Sequence, residues 1–250
     1  MHHRISLLGC PIDALTLSET MAEVERIITS RKPSQHCPVN ASVLVWLQQD
    51  NRLLDVIGQS AIVNADGQAL IWASRLLGMP LPERVTGPDL MENLVGLAAL
   101  KNYRVYFLGA MEEVVQQMID VFKDRYSGLQ VAGYHHGYFL PGEEQHIVDS
   151  IRNSQADMLF VALSTPQKDY FINSHLNEMR VPFCMGVGGT FDVLAGKVKR
   201  APMWMQQAGL EWFHRFLQEP HRMWKRYLVT NTVFLWLVFR AYILHKFSKR

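Results

Sequence analysis

Cysteine is scarce in this 250-residue chain: Cys10, Cys37 and Cys184 are scattered, and no CxxC pair exists. Neither a metal-type nor a redox spacing is present, and a reducing compartment fits best. Charged residues make up only 19%, which is sparse for a fully soluble protein. The opening stretch MHHRISLLGCPIDALTLS lacks a long apolar core with a cleavage pattern, so no secretion signal is expected. There is no internal repeat and no low-complexity linker. The Walker A lysine pattern is missing and the GxGxxG fingerprint is incomplete. The last absence argues against a dinucleotide oxidoreductase. No recognised nucleic-acid motif is found either.

What is present starts with a core: 48% of the residues are hydrophobic, enough for one large α/β domain or a domain with an appendage. The net charge of +2 hides an asymmetry. Residues 197–250 hold 11 Lys+Arg against 2 Asp+Glu, a charge of +9, which leaves −7 on residues 1–196. A basic, aromatic-rich tail on an acidic body suggests an anionic partner: a membrane surface, phosphates or nucleic acid. The plainer alternative is a tail that pairs with the body.

Short apolar runs at residues 4–8, 36–39, 61–64, 104–108, 130–133, 158–163 and 183–187 read as strands. Between them, residues 18–30, 42–57, 68–77, 112–126, 143–153 and 167–178 carry a helical period. The alternation predicts an α/β fold with a mostly parallel sheet and helices on both faces. Pro220 is suited to a helix's first turn. The apolar run that follows, residues 227–244, is interrupted by Thr230, Asn231, Thr232 and Arg240. It is marginal for a bilayer span, so an element lying in the interface or packed in an apolar groove is expected.

Ligands of such sheets bind outside the carboxyl ends of the strands. The residues there are small and polar: Asn40, Asp66-Gly67, Gly109, His135-His136-Gly137-Tyr138, Ser164-Thr165-Pro166-Gln167, and Gly188-Gly189-Thr190. Asp66 can serve as a general base or cap the helix beginning near Gln68. Arg84, in ERVTGPD, can hold a diphosphate with its planar fork or lie in a loop whose Thr86 or Asp89 caps the next helix. Gly186-Val187-Gly188-Gly189 is either a phosphate-approach loop or a tight turn. No two aspartates stand two positions apart, so the DxD pair that holds a divalent ion in many nucleotide-sugar transferases is missing. Growing charge on a leaving group would then fall to arginines and backbone N–H groups. His135 and His136 are adjacent, with no carboxylate or cysteine at ligand spacing, so no metal site and no cofactor are expected.

Taken together, the motifs resemble the WecG/TagA/CpsF family of bacterial glycosyltransferases. The residues that carry the resemblance are VNADGQALIWASRLLGMPLPERVTGPDL at 63–90, YFLGA at 106–110, GYHHGYF at 133–139, GVGGTFDVLAGKVKRAPMWM at 186–205 and GLEWFHRFLQEPHRMWKRYL at 209–228. They span almost the whole chain in the family's order. The resemblance implies a Rossmann-like catalytic domain over residues 1–196 and a helical, basic appendage over 197–250 that completes the site and meets the membrane. It implies metal-independent, inverting transfer from a UDP-sugar to a sugar on undecaprenyl diphosphate, in bacterial surface polysaccharide synthesis. The implied location is the cytoplasm, peripheral on the inner face of the membrane. Asp66 matches the catalytic base and Arg84 the arginine of ERVTG. Asn40 matches a donor-site asparagine, and Gly109, Gly188 and Gly189 fall in the substrate-binding turns. Arg215 and Arg222 match appendage arginines, and Lys225 or Arg226 a third.

Two departures stand out. Pro38 occupies a position where the family often has Thr. The family's G-x-P-K-Q-E reads Ser164-Thr165-Pro166-Gln167-Lys168-Asp169, so either Gln167 or Lys168 takes the glutamine's role. Both lie at the donor site, and N-acetylmannosamine, its uronic acid and a glucose-type sugar all stay open as the donor. A non-catalytic nucleotide-sugar or nucleic-acid-binding module is the alternative function, although no nucleic-acid partner is expected. A contact with a second copy of the chain is an alternative role for the apolar run.

Overall fold

The chain opens with a clipped hairpin. In the computed structural model, which describes residues 3–218 and 220–248 and leaves out the side chains of 141, 207, 221–227, 245, 247 and 248, β1 (Arg4–Leu7) pairs antiparallel with β2 (Cys10–Asp13). The guanidinium of Arg4 donates to both oxygens of Asp13, at 2.6 and 2.8 Å. Asp13 also accepts the backbone N–H of Val63 at 2.7 Å. The run at 4–8, read from sequence as a strand in the alternating series, is therefore outside the main sheet. Its extended partner is the local segment that begins six residues on, at Cys10, and a buried aspartate fixes the pair to the sheet.

The main sheet has six parallel strands in the order β4-β3-β8-β7-β5-β6. They are β3 (Ser34–Val39), β4 (Ile62–Ala65), β5 (Arg104–Gly109), β6 (Gln130–His135), β7 (Met158–Ala162) and β8 (Phe183–Gly186). The central strands are buried along nearly their whole length, as continuous apolar runs covered on both faces should be. Alternate residues serve opposite faces. Phe107, Phe160 and Met185 join the cluster under α1 (Leu17–Ser30), α5 (Gly87–Lys101), α6 (Glu112–Arg125) and α9 (Thr190–Leu194). Tyr106, Leu159 and Cys184 face α7 (Glu144–Ser154) and α8 (Gln167–Met179). Cys37, Val39 and Val63 face α2 (Ala41–Trp46), α3 (Asn51–Gln59) and α4 (Gln68–Leu76).

The single helix expected over 42–57 is two helices. Asp50 leaves helical geometry and accepts from the Leu53 N–H at 3.0 Å, so N-cap chemistry starts α3 anew. At the other end of the chain come α10 (Met203–Gln207), α11 (Glu211–Gln218) and the 29-residue α12 (Pro220–Ser248), which Pro220 opens as expected. One side of α12 lies against α2. Ser42 donates to Thr230 at 3.2 Å, and Phe234 and Val238 are buried in the α2–α4 core. Leu228, Leu235, Trp236 and Phe239 are exposed on the rest of α12. No helix among the described residues is long and apolar enough to cross a membrane.

Candidate active site

Because all six strands run parallel, every strand-to-helix turn named above opens on one edge. Within that edge, β5 and β7 are neighbours, yet α6 leaves β5 toward β6 on one face and α8 leaves β7 toward β8 on the other. This reversal is where open α/β sheets form a crevice. Gly109 ends β5 there with φ +125°, and a Cβ on it would stand 2.5 Å from the carbonyl oxygen of Ala162. Only glycine fits that approach. His135 and His136 lie nearby with ring centroids 4.5 Å apart rather than on opposite faces, because β6 stops at His135. Among the described residues, no three His, Cys, Asp or Glu side chains converge as a metal site.

Asp66 follows β4 and is only partly exposed. It does not cap α4: Gly67 is the N-cap, and no side chain serves it. Instead the chain after α4 returns to the sheet, Val85 N–H donating to Ala65 at 3.0 Å. This return places Gly87 so that its N–H donates to the Asp66 carboxylate at the amino end of the 15-residue α5. Thr86 caps that helix, accepting from Asp89 N–H at 3.2 Å. Burial raises the pKa of Asp66 to about 6, and the negative charge of Glu211 pushes the same way. Arg84, the Gly87 N–H and Lys168 oppose it. A carboxylate tuned to that value is ionised at neutral pH yet more basic than an ordinary aspartate.

Two cations, Arg84 and Lys168, act on this carboxylate, and two more arginines lie on the adjoining turns. Arg84 is 15% exposed and donates to Glu211 at 2.9 Å. Arg200 grips Asp89 through two bonds of 2.5 and 2.7 Å. Lys168, at the start of α8, is 4% exposed and lies 2.6 Å from Asp169. It also passes over Gly186, where a Cβ would meet its chain at 2.9 Å. Arg215 of α11 lies directly on the β8 turn, so a Cβ on Gly189 would overlap its guanidinium. Gly188 beside it has φ +55° and open space around it. Among the described residues, the buried Nε–H groups of Arg200 and Arg215 have no acceptor.

Asn40 caps α2 through its side-chain oxygen, 3.2 Å from Val43 N–H, and sits beside Gly67, whose Cβ position is 3.7 Å from the Asn40 Cβ. Gln167 is exposed and accepts from Ser164 at 2.6 Å. Of the two candidates for the exchanged position, Lys168 is therefore the one directed inward. The side chains of Arg222, Lys225 and Arg226 lie outside the described residues. Thus Asp66, Arg84, Lys168, Gly189 and Arg215 come together. Glu211 and Arg200 join them, although sequence reasoning assigned neither a role. Their only signal was position, inside GLEWFHR and GKVKRAP.

A second concavity, of about 650 Å³, opens at the opposite, amino-terminal edge and is lined by Arg31, Arg104, Arg152, Asp157 and Arg180. It shares no residue with the group around Asp66.

With the geometry in place, three likenesses bear on it. The model of the family described as "Glycosyl transferase WecG/TagA/CpsF family" matches residues 5–248. A protein of Bacillus subtilis (strain 168), named N-acetylglucosaminyldiphosphoundecaprenol N-acetyl-beta-D-mannosaminyltransferase, is 34% identical over 190 residues, which is 76% of this chain and 73% of that protein. A protein of the same name from Staphylococcus aureus (strain MW2) is 28% identical over 242 residues, 95% of this chain and 93% of that one.

Proposed function

The chain belongs to the WecG/TagA/CpsF family of glycosyl transferases, and from that premise we propose that it moves a sugar from a UDP-sugar onto a sugar carried by a polyprenyl diphosphate. The observation that carries this reading is the Asp66 carboxylate, held at the amino end of α5 and ringed by Arg84, Lys168 and Glu211. The relatives' printed names supply the acceptor class, an N-acetylglucosaminyl diphosphate on undecaprenol, and make N-acetylmannosamine the first donor to test. Its uronic acid and a glucose-type sugar are next, since Lys168 brings a cation to the donor side.

The proposed chemistry is a single displacement. Asp66 takes the proton from the acceptor hydroxyl as its oxygen bonds to the anomeric carbon. The bond from that carbon to the diphosphate oxygen breaks on the opposite face, and UDP departs with the electron pair. The configuration inverts. Arg84, Arg215 and the N–H groups of the β8 turn offset the charge growing on the diphosphate. Work at the inner membrane surface follows from the lipid acceptor. It is supported by the tail's +9 charge and the exposed Trp236 and Phe239 of α12.

The test is incubation of purified protein with UDP-N-acetylmannosamine, its uronic acid, UDP-glucose and UDP-N-acetylglucosamine, each with a short polyprenyl-diphosphate N-acetylglucosamine. Formation of an inverted disaccharide with one donor is expected. Hydrolysis or no turnover with every donor would sink the reading.

A further inference from the structure

Glu211 is the first residue of α11, and its carboxylate touches the body of the protein at two arginines. Oε2 accepts from Arg84 Nη1 at 2.9 Å, and Oε1 lies 3.6 Å from Arg200 Nε. The second distance is too long for a hydrogen bond, and that Nε–H is left buried without an acceptor. Among the described residues the Nε–H of Arg215, on the same helix as Glu211, is buried without one too. Glu211 serves Arg84 and Asp89 serves Arg200, and two guanidinium Nε–H donors are still left over. A buried donor left unmatched is costly, so the arrangement suits an anion with more oxygens than a carboxylate carries. A diphosphate meets that description and binds guanidinium forks in pairs.

The same carboxylate faces the base. Around Asp66 stand Arg84 from the segment between α4 and α5, Gly87 at the start of α5, Lys168 from α8, and Glu211 from α11. Thr190 from α9 lies close by, its Oγ1 3.2 Å from the Cβ position of Gly87. Arg84 thus lies under the influence of two carboxylates, the base and the appendage residue.

We infer that Glu211 is a positioning residue that holds Arg84 by a contact a diphosphate can replace, and yields it when the diphosphate enters. The inference rests on the glycosyl-transfer reading above. It makes appendage docking, donor binding and the strength of the base depend on one exchange of anions. Glu211 touches neither donor nor acceptor. It acts through Arg84 and by its charge on Asp66.

The test uses the full chain with Glu211→Gln, Glu211→Ala and Glu211→Asp, read by calorimetric titration with UDP and by kcat/KM against pH. Without its internal competitor, Arg84 is free, and a partly exposed pair of this kind is worth up to about fivefold in affinity. The Gln and Ala variants are therefore expected to bind UDP about fivefold more tightly than wild type. Their acid limb should move below the wild-type position near pH 6, by about half to one unit, because a like charge beside Asp66 is gone. Glu211→Asp keeps the charge and should restore the limb, which a merely structural role would not. Alanine is the best helix former, so that variant keeps the test open if the glutamine variant does not fold. If wild type binds UDP and depends on Asp66, yet the Gln and Ala variants match it in both measurements, the inference is overturned and the transfer reading stands. If wild type binds no UDP at all, both fall.

Discussion

Burying the Asp66 carboxylate costs stability, and under the proposed reaction it makes a stronger base. Its folded value of about 6 lies above the ordinary 3.8, so between those values the folded protein holds the proton more tightly than the unfolded chain does. Stability from this group is full at low pH and is lost as pH rises through about 6. Asp66→Asn removes the charge that folding must bury. Above pH 7 this variant should melt at or above the wild-type temperature, while turnover falls by about 10²–10⁴. Loss of both together would mean that Asp66 is structural. In the wild type, kcat/KM should fall tenfold per pH unit below about 6, with no fall of that kind between pH 7 and 8 from this group.

His36 carries the opposite lesson. It is 1% exposed, hydrogen-bonded to Asn64 at 2.8 Å, and burial lowers its pKa to about 4. It stays neutral above about pH 5, so under the proposed reaction an acid limb near pH 6 is expected from the carboxylate and not from this imidazole.

At the scale of elements, the site depends on how α5 and the β8 turn begin. Thr86→Ala removes the cap of α5, at about 1 kcal/mol, or about 2–4 °C in Tm for a chain of this size. Because the same turn presents Gly87 N–H to Asp66, the variant should also move the acid limb to higher pH. Scanning calorimetry with a pH profile checks both. Gly189→Ala leaves the strand intact but puts a methyl where the Arg215 guanidinium lies. UDP affinity should drop about tenfold or more, with Tm nearly unchanged, since the lost contact is charge-assisted. Calorimetric titration with UDP reads this directly.

These elements also mark what the sequence could reveal. The central strands of the main sheet were readable because β5, β7 and β8 are short apolar runs, and a parallel sheet buried on both faces leaves that trace. The hairpin at β1–β2 was not, since its partner strand, Cys10–Asp13, is too short and mixed to show a period. The break between α2 and α3 was masked because apolar residues recur on both sides of Asp50. Arg84–Glu211 and Arg200–Asp89 join residues 127 and 111 positions apart. Pairings at such separations leave no local pattern, so Glu211 and Arg200 gained roles only when the chain was folded.

For the whole molecule, the governing fact is the split between a −7 body and a +9 tail. Deleting the end of α12 would be a poor test of anchoring, because Phe234 and Val238 belong to the core. Trp236 and Phe239 do not: they are 55% and 64% exposed. Replacing both by serine should leave Tm within about 2 °C, since exposed positions change stability little. Binding to vesicles rich in phosphatidylglycerol should weaken, and activity on a short, water-soluble acceptor should persist. Full vesicle binding by this variant would assign the exposed stripe of α12 to another contact. Raising salt from 0.1 to 0.5 M should weaken the wild type's binding further, as screening requires.

The seating of α12 on α2 also fixes an order of events during synthesis. Ser42 meets Thr230 across 188 positions, so the groove on α2 stays uncovered until nearly the entire chain has left the ribosome. At about 5–20 residues per second, Val43 and Leu44 wait roughly ten seconds or more for their cover. Arg215, which completes the cluster around Asp66, also emerges only near the end. A nascent chain thus holds Asp66 long before Arg215 can reach it, and a prematurely terminated one is left with a bare apolar groove on α2.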